Sequence, residues 1–107
     1  MSKISRVKGK NTELAIAKIM KAKRNHFEAE DLRHPILSIE VKHRKKLPVL
    51  ITKFMGQAVA ACSDEKIPCV VMHEGGAHHT DDLVIMRLYD LEDLVGRVMR
   101  GSAEESE

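Results

Sequence analysis

The sequence predicts an α/β fold in which a small mixed β-sheet is flanked by helices on both faces. Three observations point to it. Apolar residues recur at helical spacing over 12–24, 49–61 and the stretch after Asp90. Residues 36–42, ILSIEVK, alternate strictly, with Leu37, Ile39 and Val41 on one side and Ser38, Glu40 and Lys42 on the other. Two short continuous apolar runs, PCVVM and LVIMRL, read as strands covered on both faces. The resulting order of helix, strand, helix, strand, strand, helix layers helices against a sheet.

The 107 residues suffice for one small domain with a single core. Residues 1–10 are basic and lack hydrophobic periodicity, which predicts a flexible arm. The domain then covers 11–100, and GSAEESE, 101–107, has the composition of a disordered acidic tail. Asn11 is placed to cap a helix over 12–24. Glu13, Ile16, Ala17 and Met20 share one face of that helix, so an acid stands at the edge of an apolar stripe. A first-turn Glu also answers the helix dipole. The polar, acidic stretch RNHFEAEDLRHP ends at Pro35, strand 36–42 follows, and KKLP closes it. In the helix over 49–61, Gly56, Ala58, Ala60 and Ala61 permit close packing. SDEK is a turn, and EGGAHHTDD carries the Gly-Gly signal of a hairpin loop. Asp90 can cap a last helix with Leu91, Leu94, Val95 and Val98 at helical spacing.

No apolar run approaches the ~18–20 residues needed to span a bilayer. MSKISRVKGK has positive charges with no apolar stretch behind them, so a secretory signal is not expected. Cys62 and Cys69 lack metal-ligand spacing and read as reduced core thiols of an intracellular, cytoplasmic protein. The net charge of +2 conceals an asymmetry. Residues 1–24 carry eight Lys/Arg against one Glu, whereas 64–107 carry four against eleven acids. A basic half of this kind implies a polyanion partner, nucleic acid first of all. Aromatic content of 3%, without Trp, argues against a single-strand binder built on base stacking.

Glu40 and Lys42 sit on one strand face, ~6.5–7 Å apart along it. A chain reversal or a neighbouring short strand would bring the Asp31 carboxylate beside Glu40. Two adjacent carboxylates repel unless they share a cation. Hard oxygen ligands suit Mg2+ or Mn2+ better than zinc. In phosphodiester hydrolysis such a metal activates water, and a nearby ammonium orients it or stabilises charge. The same alternation also fits an ordinary solvated strand face. A rival cluster, His73, His78, His79, Asp81 and Asp82, has ligand types that suit zinc. Its irregular spacing and two glycines read in preference as a polar loop between strands.

Asp31 followed by Glu40-Val41-Lys42 resembles the signature of the PD-(D/E)XK nuclease superfamily. Arg6-Val7-Lys8-Gly9, Glu13 opening a helix, SIEVK, and a following helix with Gln57 are similar, in that order, to archaeal-type Holliday junction resolvases and their phage relatives. The resemblance covers about residues 5–90 and implies a restriction-endonuclease-like core. It implies Asp31 and Glu40 as metal ligands with the Val41 carbonyl, Lys42 as the catalytic lysine, and Glu13 as a helix-borne acid approaching the same metal. Gln57 would support the site from the second helix. Arg6, Lys8, Lys10, Arg44, Lys45 and Lys46 would contact phosphates. Glu30 stands before Asp31 where the family has Pro, and Glu28 or Glu30 stays open as a substitute for Asp31. The implied cofactor is Mg2+, with Mn2+ substituting, and the implied substrate is branched double-stranded DNA. A homodimer would match the two-fold symmetry of a four-way junction. The small size and the resemblance lean toward a phage protein acting in the host cytoplasm.

Overall fold

The structure, a computed structural model, describes residues 3–25 and 31–106. Three α-helices and two small antiparallel sheets form a mixed α/β architecture among the described residues. The chain divides into two units, Met1–Lys45 and Lys46–Glu107, where the sequence suggested one domain over 11–100.

In the first unit, helix α1 spans Lys3–Met20. It begins earlier than Asn11, so residues 3–10 are helical and not an arm. KISRVKGK holds only two apolar residues to reveal a period, yet its Lys and Arg are good helix formers. The helix also ends four residues before the expected boundary at 24. Lys21 adopts φ 54°, and the Ala22 N–H donates to the Ala17 carbonyl at 2.8 Å, which closes a Schellman motif. A lysine in this left-handed position costs ~1–2 kcal/mol, partly offset because glycine there would lose more freedom on folding. Lys21→Gly is expected to stabilise the protein by about 0.5–1 kcal/mol, read as a higher urea midpoint at unchanged m value.

The early stop frees Lys23–Arg24 to form strand β1, which pairs with β2, Leu32–Arg33, which in turn pairs with β3, Ser38–Ile39. Both pairings are antiparallel. Leu32, fully buried, packs this meander's interior, with Ala17 and Met20 buried on α1. Only Ser38–Ile39 of the expected strand 36–42 is strand, yet its alternation holds in burial: Leu37, Ile39 and Val41 are half-buried, and Ser38, Glu40 and Lys42 are exposed.

In the second unit, α2 spans Val49–Ala61, and the Pro48 carbonyl accepts the N–H groups of Ile51 and Thr52. Ile51, Phe54, Met55 and Ala58, at helical spacing, form its half-buried stripe. Strands β4, Val70–Met72, and β5, Leu83–Ile85, form an antiparallel hairpin. Gly76 in the connecting loop has φ +88°, a conformation that favours glycine. A 3-10 turn over His79–Asp81 completes the loop. Helix α3, Leu88–Ser106, starts two residues before Asp90, since the Arg87 carbonyl accepts from the Asp90 and Leu91 N–H groups. It runs on through GSAEES, read from composition as a disordered tail, because Ala and Glu propagate a helix readily. Val95 is its buried residue.

The described strands pair as two separate antiparallel sheets, not one mixed sheet, each strand satisfying its backbone on a neighbour in sequence. The two apolar runs are not covered on both faces, since Val71, Leu83 and Val84 are 60%, 69% and 58% exposed. Cys62 and Cys69 are both free thiols, but Cys69 is exposed and is not a core residue. No helix among the described residues is long and apolar enough to cross a membrane.

Candidate functional site

In the first unit, the β2–β3 ladder opposes Leu32 to Ile39 and Arg33 to Ser38. The ladder ends there: the Asp31 N–H donates to the Ile39 carbonyl at 3.0 Å, one residue out of that register, so Asp31 lies against the segment Ile39–Val41. The chain reversal that the spacing of Asp31 and Glu40 requires is thus made by the turn between β2 and β3. Asp31 is half-buried, and its Oδ2 accepts the Val41 N–H at 2.6 Å. Lys42 Nζ lies 3.1 Å from Glu40 Oε1, an exposed ion pair on the segment that follows β3.

Glu13 enters from α1, where its Oε2 accepts Arg24 Nε at 2.7 Å. Glu13, Arg24, Asp31, Val41 and Lys42 line one open cavity of about 1160 Å³. Its other walls are basic: Lys8 and Lys10 from α1, then His43, Arg44 and Lys45 beyond β3. A phosphate is the natural counter-ion of this lining. Thr12 Oγ1 donates to the Lys8 carbonyl at 2.9 Å, so the 2.6 Å contact with His43 Nδ1 has the imidazole N–H as donor. That contact ties the basic segment after the strand to the helix.

The structure therefore gathers Glu13, Asp31, Val41 and Lys42 with four of the expected phosphate-binding residues. It does not gather all of them. The Glu40 side chain is not part of the cavity wall. Glu13, Asp31 and Glu40 do not form a three-membered cluster close enough to hold one ion; among the described residues His73, His79 and Asp82 do. Lys46 belongs to the second unit, as does Gln57, which lines a cavity of about 500 Å³ with Phe54, Ala58, Cys69, Met72 and His73. Glu28 and Glu30 lie outside the described residues, as does the Arg6 side chain.

Arg24 and Thr12 were not foreseen. Arg24 fell within the expected helix, and only the left-handed Lys21, which no glycine announces, redirects it into the cavity. His43 was visible as one of four successive basic residues, but its partner Thr12, 31 positions away, was not.

The donor set remains one of hard oxygens. Mg2+ is commonly held by one or two carboxylates, with water and substrate phosphate completing its shell. Asp31 offers one such carboxylate beside Val41 in the cavity, while the Glu40 carboxylate lies outside its wall. Searches against protein-family models, curated proteins and solved structures find no match to this chain.

Proposed function

We propose that this protein is a metal-dependent, structure-selective DNA endonuclease with a restriction-endonuclease-like core, resolving Holliday junctions as a homodimer. The observation that carries the reading is the basic cavity lined together by Glu13, Asp31, Val41 and Lys42, with Glu40 paired to Lys42 at 3.1 Å. Mg2+, or Mn2+ in its place, held by Asp31, Glu40 and the Val41 carbonyl with Glu13 nearby, would supply water activation and charge neutralisation. The residues do the rest. Lys8, Lys10, Arg44 and Lys45 hold the DNA backbone through phosphate contacts. The Lys42 ammonium, set beside Glu40, orients the attacking water and balances charge that builds on the phosphate. In-line attack breaks the P–O3′ bond and leaves 5′-phosphate and 3′-hydroxyl ends.

The test is incubation of the full chain with a synthetic four-way junction and Mg2+, with linear and nicked duplexes as competitors. Paired symmetric nicks in the junction, abolished by chelation, are the expected result. Product no greater than that from Glu40→Ala defeats the enzymatic reading. Preference for the nicked duplex keeps the chemistry and replaces the substrate. Binding should weaken with salt at a log–log slope of roughly −0.9 per phosphate contacted, and Lys45→Ala should reduce that slope by about 1.

A second reading is a catalytically inert DNA-binding module on the same framework. Favouring it, each carboxylate already has a partner: Glu13 has Arg24, Asp31 the Val41 N–H, and Glu40 has Lys42. Junction binding that is indifferent to metal and yields no product would support it.

A further inference from the structure

The β4–β5 hairpin assembles a different ligand set in the second unit. Its register opposes Val70 to Ile85, Val71 to Val84 and Met72 to Leu83. The next step opposes His73 to Asp82, and His73 Nδ1 lies 2.6 Å from Asp82 Oδ1. The 3-10 turn over His79–Asp81 then brings His79 to the same carboxylate, its Nδ1 3.4 Å from Asp82 Oδ2. The two imidazoles lie face against face, with centroids 4.2 Å apart and planes tilted by 30°. One ligand atom from each of the three residues falls within 4.8 Å of the others. The Asp82 side chain is only 12% exposed, while His79 is 83% exposed, so the cluster is anchored at its base and open above.

We propose that His73, His79 and Asp82 bind a first-row transition-metal dication, Zn2+ above all, with water completing the coordination. Two imidazole nitrogens and one carboxylate oxygen select zinc-like ions over Mg2+ or Ca2+, which prefer oxygen throughout. With bonds of ~2.0–2.1 Å, two ligands of one tetrahedral zinc stand roughly 3.4 Å apart. Reaching that spacing requires a closure of about an ångström, and His79 on its solvent-facing turn is the residue that moves. The ion would replace the His73–Asp82 hydrogen bond with a bond to each partner. It would also clamp the loop containing Gly75 and Gly76, joining the end of β4, the 3-10 turn and the start of β5. The sequence suggested a zinc-compatible ligand mixture here but not its convergence, because only the hairpin register sets His73 against Asp82. The inference concerns residues of the second unit alone and stands whether or not the protein cleaves DNA.

The experiment is isothermal titration of the chelator-treated full chain with Zn2+. The expected result is one ion bound per chain in the micromolar range or tighter, with excess Mg2+ present. His79→Ala should weaken that binding by at least about tenfold. Because His79 is so exposed, this variant keeps the fold, which its circular dichroism spectrum verifies. Asp82→Asn should weaken binding similarly, whereas His78→Ala, Asp81→Asn and Asp31→Asn should bind as the wild type does. Absence of Zn2+ binding in that range overturns the proposal. So does unchanged affinity in folded His79→Ala, or a loss caused by Asp31→Asn in its place.

Discussion

Glu40→Ala and Lys42→Ala should each lower single-turnover cleavage of a four-way junction by about 10²–10³-fold or more, with junction affinity nearly unchanged. The expectation rests on how cleanly these two side chains can be removed. Both are exposed, and each other's ion-pair partner at 3.1 Å, so truncating either leaves no buried group unsatisfied. Exposed pairs of this kind contribute ~0–1 kcal/mol to stability, and the melting temperature should barely move. A large fall in rate without a fall in stability therefore reports chemistry. Glu40→Gln sharpens the test: it can still hydrogen-bond Lys42 but no longer offers a cation a full carboxylate. Wild-type cleavage rates in all three variants would remove the active site from this segment.

Asp31 should behave differently, because it has a structural duty as well. Asp31→Ala leaves the Val41 N–H without the oxygen that accepts it at 2.6 Å. Losing a charge-assisted acceptor at a half-buried position should cost about 1–3 kcal/mol, seen as a melting temperature lower by several degrees. Asp31→Asn retains an oxygen for Val41 and should recover most of that stability. Both variants should lose junction cleavage. Stability that returns with Asn while activity does not separates the two duties. An Asn variant that cleaves like the wild type would reduce Asp31 to a backbone anchor.

The parts of the fold legible in the sequence were those written in periodicity. The face alternation of 36–42 holds residue by residue, and the apolar stripe of α2 falls within its expected helix. The charge asymmetry also has a structural counterpart. The first unit holds twelve Lys/Arg against five acids, and the second six against eleven. What escaped was decided by single backbone events without a residue-type signal. Lys21 turns left-handed where a glycine would have announced the helix end, and Arg24 reaches Glu13 as a result. The continuous apolar runs suggested two covered faces, but a two-stranded hairpin leaves Val71, Leu83 and Val84 outward. The same limit applied to the sites. Asp31 and Glu40 were paired in expectation through residue type and spacing, while the opposition of His73 to Asp82 depends on strand register, which composition does not encode.

The hydrogen bond from Val41 to Asp31 makes the main chain a gauge of the site. Most protected amides in a sheet are held by a neighbouring carbonyl, whose occupancy does not change when a ligand arrives. The Val41 proton is held by a carboxylate that a cation or a Lys side chain could compete for. Drawing Asp31 away would release that one amide to exchange with solvent, while the neighbouring Asp31 amide, bonded to Ile39, stays protected. Cation binding by a side chain would thus be legible as loosening at a single peptide group, whether or not any DNA is cut.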